Sequence, residues 1–487
     1  MICESQAHGR MRPAKSYFWG AIDVLAGQFS QLIMLVVLSR LLEPYDFGLM
    51  AIVLMMMAFA STLIDGGLAS ALIQKGETTK NEESAVFYIN ILTAGLLFFV
   101  FWFSAPKISL FFNMPELDLL IKISSLSLVI DSIGIIHYTL LKKHLAFRRL
   151  SLTTAVSSVS SMLVAIAVAV VYQSVWCLVI QLLLNKVVRV ILYWHLNNWT
   201  PNFRCNFRIA KGLYAFGVKI MLINLAAIIF NSIYTIVIGR IFPPETLGLY
   251  SRANSVQQMP TKNLAAVINR VSFSEMSKLR AIGGDFVSYY KKMIFFTASL
   301  VYPFSAILFL LSELIILLVL GEKWEVAVDY FRYLLLVGLT QPFISVTSSL
   351  LKTVGETAAL WRIELLRYAL ISISILLTFS SPIEALIMGQ AVANFLSMLV
   401  MFVSLKSVTE LNIRAYVGLM APPLAFTVAG FVVSSAFVQF FEVYQNYNIL
   451  EALIFLAAYL VLHIVFRTEL YYLFVNFLGK LTRKPKT

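Results

Sequence analysis

Residues 40–50 read Arg-Leu-Leu-Glu-Pro-Tyr-Asp-Phe-Gly-Leu-Met, and residues 240–250 read Arg-Ile-Phe-Pro-Pro-Glu-Thr-Leu-Gly-Leu-Tyr. At an offset of 200, Arg40 pairs with Arg240, Pro44 with Pro244, Gly48 with Gly248 and Leu49 with Leu249. Each segment joins one apolar stretch to the next, and Lys15 and Lys211 each stand before the stretch that leads in. A period this long is a duplicated half, not a solenoid repeat. What the halves are built from follows from composition.

The chain has 487 residues, 60% hydrophobic and only 13% charged, with a mean hydropathy of +0.83. Soluble domains carry about 25% charged residues. The composition therefore excludes a water-soluble enzyme, a large ectodomain and a disordered tail. A bilayer-crossing helix needs about 20 apolar residues. Apolar windows at about 17–39, 47–73, 85–105, 118–141, 150–172, 174–196, 213–239, 247–275, 293–320, 326–351, 357–381, 383–405, 415–441 and 448–475 predict about fourteen transmembrane helices. The first is too long for a signal-peptide core and lacks a cleavage site, so it reads as an uncleaved span. The expected fold class is an all-α integral membrane protein. Its expected parts are a six-helix lobe over 1–200, a second over 201–410, and two more helices with a basic tail over 411–487.

The net charge of +13 comes from 38 Lys and Arg against 25 Asp and Glu. On a soluble chain this would suggest nucleic acid; here it bears on orientation, and no nucleic-acid partner is expected. With fourteen spans, alternate loops place 24 basic residues on one face: Arg10, Arg12, Lys15, Lys75, Lys80, Lys142, Lys143, Arg148, Arg149, Arg204, Arg208, Lys211, Lys278, Arg280, Lys291, Lys292, Lys352, Arg362, Lys406, Arg414, Lys480, Arg483, Lys484 and Lys486. The other face has 4, Arg40, Lys107, Arg240 and Lys323. Positive loops stay cytoplasmic, so both termini are expected inside. Two six-span halves then share one orientation, related by an axis along the membrane normal, an arrangement found in transporters. Cys3, Cys177 and Cys205 are too few and too scattered for a disulfide framework or a zinc site.

The stretches Leu-Ser-Arg-Leu-Leu-Glu-Pro-Tyr-Asp-Phe-Gly-Leu-Met (38–50), Asp-Gly-Gly-Leu-Ala-Ser-Ala-Leu-Ile-Gln-Lys (65–75), Gly-Leu-Tyr-Ser-Arg-Ala-Asn-Ser-Val-Gln-Gln-Met-Pro (248–260) and Val-Ser-Phe-Ser-Glu-Met-Ser-Lys-Leu (271–279) resemble Wzx-type bacterial polysaccharide transporters, in particular the colanic-acid and teichuronic-acid exporters. The resemblance covers nearly the whole chain, the last two spans by hydropathy only. It implies the fold of the multidrug/oligosaccharidyl-lipid/polysaccharide superfamily, two six-helix bundles in a V around a central cavity. It also implies movement of an undecaprenyl-pyrophosphate-linked oligosaccharide to the periplasmic leaflet, with polysaccharide polymerase machinery as a further partner.

Charges within spans are costly and mark functional candidates. In the eighth span Arg252, Asn263 and Arg270 fall within about 20° of one line, about 27 Å long. Asn254, Gln257, Gln258 and Thr261 take the opposite side, so this helix is expected between a cavity and its neighbours. A guanidinium suits pyrophosphate, binding oxygens bidentately and staying charged; snorkelling to water is the bland reading. Pro260 would interrupt the backbone ladder and allow a kink. Lys219, Asn224 and Asn231 in the seventh span, Gln257 and Gln258 in the eighth, and Arg189 on the sixth-span stripe Gln181–Asn185–Arg189, are further binding candidates. Lys186 beside that stripe reads partly as an anchor.

Asp131 sits mid-span with no basic residue one turn away, so its partner must come from another helix. Asp131 and Asp23 are candidate counter-ions or sites coupling transport to H⁺ or Na⁺. Asp329–Arg332 and Glu364–Arg367 are expected as local i,i+3 pairs. Asp65 is expected to end a helix where Gly66 and Gly67 allow close packing, and His137 and His144 to be solvated near a loop. No phosphate-cradling or catalytic motif is present, so neither a cofactor nor a nucleotide motor is expected.

Three rival readings remain. A lipid II flippase is the nearest alternative. A multidrug cation antiporter of the same fold would need an acidic cavity, whereas these spans are basic. A membrane polymerase needs a long external loop for chemistry, and the longest here, about 105–118, is short.

Overall fold

The computed structural model describes residues 30–203, 211–440 and 448–466, and among them the chain is all helix and connecting turns. Asp23, the start of the first span, the 204–210 loop and the basic tail lie outside the described residues. Helices α1 (Ser30–Leu41), α2 (Pro44–Asp65), α3 (Leu68–Gln74), α4 (Lys80–Phe112), α5 (Leu117–Lys143), α6 (Phe147–Tyr172), α7 (Trp176–Leu196), α8 (Lys211–Ile241) and α9 (Pro244–Ala281) are followed by α10 (Phe286–Leu310), α11 (Ser312–Val319), α12 (Ala327–Leu339), α13 (Gln341–Val354), α14 (Thr357–Thr378), α15 (Ile383–Ser404), α16 (Lys406–Thr409), α17 (Ile413–Phe440) and α18 (Asn448–Val465). Among the described residues, eleven helical segments are long and apolar enough to cross a membrane. The protein is a multi-pass integral membrane protein. Helices α1, α9 and α14 coincide with expected spans but fall outside those eleven, α1 through its described length and α9 through its polarity.

Helix ends follow local chemistry. At α2 the Glu43 side chain and N3 Asp46 form a reciprocal capping box, and Pro44 takes the first turn, where its missing N–H costs nothing. Gly66 ends it in the left-handed region, φ 55°, and Asp65 accepts the Ala69 N–H to start α3. The expected span 47–73 is thus two helices. Thr79 and Glu82 cap α4 ahead of its apolar run and set its 33-residue length. Two further expected spans divide, at Leu311 between α10 and α11 and at Thr340 between α12 and α13, just before Pro342. Large apolar side chains face outward, such as Phe103 at 75% and Leu376 at 77% exposure, as lipid requires.

Two compact units result. One comprises the chain up to Ser251 with Val319–Lys323, the other Arg252–Leu318 and Trp324 onward, so α9 passes from one to the other at Ser251–Arg252. In the first, α4 packs on α5, α6 on α7, α5 on α7, and α8 on α2 and α3. In the second, α14 packs on α15, α17 on α18, α10 on α17 and α12 on α15, around a core in which Phe402 stacks on Tyr416 at 4.2 Å.

Within the first unit the repeated segments meet each other. A Cβ on Gly48 would lie 1.9 Å from the Pro244 carbonyl oxygen, and one on Gly248 would lie 1.8 Å from that of Pro44. The contact is reciprocal, as a local two-fold requires. A second close approach joins α3 to α8, where a Cβ on Gly67 would be 2.1 Å from the Gly217 oxygen and one on Gly217 would be 2.7 Å from that of Gly66. Small residues are how helices without a hydrophobic driving force gain contact in lipid. Gly48→Ala and Gly248→Ala should each destabilise the purified protein by at least about 1–3 kcal/mol, the usual cost of overpacking. Gly95→Ala, in open space, should not, and thermal unfolding in detergent distinguishes the three.

Candidate functional site

Helix α9 supplies the candidate cations of the second unit. One side is committed to packing. Gln257 is 3% exposed, donates to Thr261 Oγ1 at 3.1 Å, and sits against Gly338 of α12 so closely that a Cβ there would be 1.9 Å from its Nε2. Further along, Ser349 of α13 donates to Asn269 Oδ1, Arg280 donates to the Thr353 carbonyl, and Ser277 lies 3.5 Å from Thr353. Gln258 is half-buried and donates to Asn254 at 2.9 Å. The other side presents Lys262, Asn263 and Arg270, all exposed, with Arg252 half-buried at the start. The helix runs on through Pro260. Lys262 went unselected in the sequence because it lies about 80° from the Arg252–Arg270 line; its place mid-helix beside Asn263 was the available signal.

Helix α8 of the first unit exposes Lys219, Asn224 and Asn231. Its buried side carries Gly217, Tyr234, Ile238 and Gly239.

The polar groups of α5, α6 and α7 bond to one another. Lys186 Nζ lies 2.6 Å from Asp131 Oδ2, each side chain about a quarter exposed at 23% and 24%. Lys186 is therefore an ion-pair partner in mid-helix, not simply an anchor. Depth held the clue, since both residues stand near the middle of their helices. Asn185 donates to Ser161 Oγ at 3.3 Å. Arg189 is half-buried, and its Nε is enclosed without a hydrogen-bond partner among the described residues.

His137 requires correction. It is not solvated but fully buried, its ring 4.5 Å from Trp194 and 5.3 Å from Trp199, because this face of α5 packs on α7 and the segment after it. His144 is exposed. Asp329–Arg332 and Glu364–Arg367 form the local pairs that their spacing suggests, at 3.1 and 2.6 Å. Asp23 is outside the described residues.

The described residues are helical, cross a membrane many times and expose a few cations, the character of a secondary transporter. A family described as "Polysaccharide biosynthesis protein" matches residues 37–329, more than half the chain, and the protein belongs to it. The teichuronic acid biosynthesis protein TuaB of Bacillus subtilis is 27% identical over 417 residues, covering 84% of this chain and 86% of TuaB. The lipopolysaccharide biosynthesis protein WzxC of Escherichia coli is 25% identical over 68% of each. Among solved structures, a lipid II flippase MurJ in an inward closed conformation has a TM-score of 0.74 at 14% identity, covering 92% of this chain and 98% of MurJ. An inward-facing multidrug MATE transporter of the MOP superfamily has a TM-score of 0.61 at 14% identity, covering 79% and 96%. These likenesses establish the transporter fold. The chain shares its fold with these transporters.

Removing one partner of an intramembrane pair strands the other charge. Lys186→Ala should cost about 1–3 kcal/mol, the buried-pair penalty reduced for partial exposure. Asp131→Asn combined with Lys186→Gln should recover most of it, as thermal unfolding of the two variants beside the unaltered protein would show.

Proposed function

We propose that the protein is a flippase that carries an undecaprenyl-pyrophosphate-linked oligosaccharide across the bacterial cytoplasmic membrane for surface polysaccharide biosynthesis. The observation that carries this reading is the exposed basic side of α9, Lys262 and Arg270 with Asn263 between them, on a family member otherwise built of apolar helices. Arg252 and Arg270 bind the pyrophosphate, assisted by Lys219 and Arg189. Asn224, Asn231 and Gln258 face the glycan, while Gln257 spends its amide on α9–α12 packing. Membrane lipid holds the polyprenyl tail, and polymerase machinery takes the product.

The same proposal includes fourteen spans with both termini cytoplasmic, two six-helix bundles in a V divided near residue 200, and two added helices from 411. The loop-charge asymmetry and the 200-residue repeat support it. In an alternating-access cycle the Gly48–Gly248 and Gly67–Gly217 contacts are natural latches, since they lie at opposite ends of α2. Asp131, with Lys186, and Asp23 are the candidate sites for coupling to H⁺ or Na⁺. The drug-antiporter reading is disfavoured by the sign of the exposed charge on α9. The polymerase reading is disfavoured because α4 runs to Phe112 and leaves only residues 113–116 before α5.

A hydrogen bond to a charged group contributes about 1.5–3 kcal/mol, tenfold or more in rate if it forms in the transition state. Arg252→Ala and Arg270→Ala should therefore each cut surface-polysaccharide export at least tenfold at unchanged protein level, with Arg270→Lys in between. Unchanged export by both alanine variants would refute the assigned roles.

A further inference from the structure

In the first unit α2, α4 and α8 enclose an open groove of about 380 Å³ lined by Met55, Met56, Phe59 and Ile236, with Ser232 as the one polar residue in its wall. A second stretch of about 290 Å³ shares Met55, Met56 and Ile236 and continues past Lys107 to Phe112. The shared residues make the two one continuous groove. At its mouth Lys107 is exposed and forms no ion pair among the described residues. A second cation stands beside it, the Arg240 guanidinium 5.3 Å from the ring of Phe111, which lines the same mouth.

On α4 the wall of the groove runs from Leu97 to Phe112, about 22 Å by helix rise and short of the ~30 Å hydrocarbon core. That is the reach of one extended acyl chain, and a long polyprenyl chain would overrun it. The methionine-rich wall suits an irregular flexible chain, and a lysine at the mouth supplies a point charge for a phosphate.

We propose that this groove is a specific site for an anionic phospholipid of the leaflet on the Pro44 side, one acyl chain lying along Met55–Phe59 and Ile236 and the phosphate on Lys107. The site does not depend on the flippase reading. An apolar furrow alone would accept any lipid; Lys107 makes it select by headgroup charge.

Native mass spectrometry of the full purified chain, titrated with phosphatidylglycerol or phosphatidylethanolamine of identical chains, tests it. The expected result is about tenfold tighter retention of phosphatidylglycerol, on the strength of one charge-assisted bond. Lys107→Gln should abolish the preference while leaving chain binding. Met56→Trp should fill the groove and remove retention of both lipids, whereas Leu96→Trp, on the exposed face of α4 away from the groove, should leave both intact. Equal retention of the two lipids by wild type, or a preference unchanged in Lys107→Gln, would reduce the groove to annular contact and overturn the proposal. Displacement of phosphatidylglycerol by equimolar undecaprenyl phosphate would also overturn it, assigning the groove to the carrier lipid.

Discussion

Two backbones approach to the distance seen between Gly48 and Pro244 only where the residue facing the carbonyl has no side chain. That constraint is met twice, because Gly248 faces Pro44 in the same way. It fixes how the start of α2 sits against the start of α9. Contact between helices in lipid comes from close van der Waals packing, since apolar surface gains nothing by leaving a hydrocarbon solvent. The glycine at each contact is matched by a proline four residues earlier, in the first turn of its helix. The carbonyl of each proline is the atom that the other helix approaches. Two similar stretches of sequence thereby form a self-complementary contact, the arrangement that a two-fold axis favours.

Polar groups in the spans fall into two sets. Those on α5, α6 and α7, and those on the packed side of α9, are spent on one another: Asp131 on Lys186, Asn185 on Ser161, Gln257 on Thr261, Asn269 on Ser349. Such bonds satisfy groups that lipid cannot. The exposed side of α9 and the outward side of α8 carry the other set, Lys262, Asn263, Arg270, Lys219, Asn224 and Asn231. A chain that needed only stability would have no reason to present the second set.

Much of the fold was legible in the sequence because lipid imposes a simple rule, apolar runs of span length separated by charge. Helix breaks were less legible. Gly66–Gly67 announces itself, but the division of α10 from α11 at Leu311 has no sequence marker as plain as a glycine pair, and Thr340 is marked only by Pro342. Ends were misjudged where polar caps carry a helix past its apolar run, as Thr79 and Glu82 do for α4. At the candidate site, helical geometry could not rank the glutamines of α9, because the tightness of Gln257 against Gly338 depends on a helix eighty residues away. The Asp131–Lys186 pair and the burial of His137 are likewise properties of two helices together. Neither helix alone encodes them.

The reading as a lipid-linked oligosaccharide flippase rests most directly on transbilayer movement. The purified chain should be reconstituted in liposomes bearing an undecaprenyl-pyrophosphate-linked oligosaccharide labelled in one leaflet. Without nucleotide, and with an imposed ion gradient, the labelled glycan should become accessible to a glycosidase on the opposite side, while a cationic dye stays in place. Movement of the dye with a stationary oligosaccharide would contradict the account.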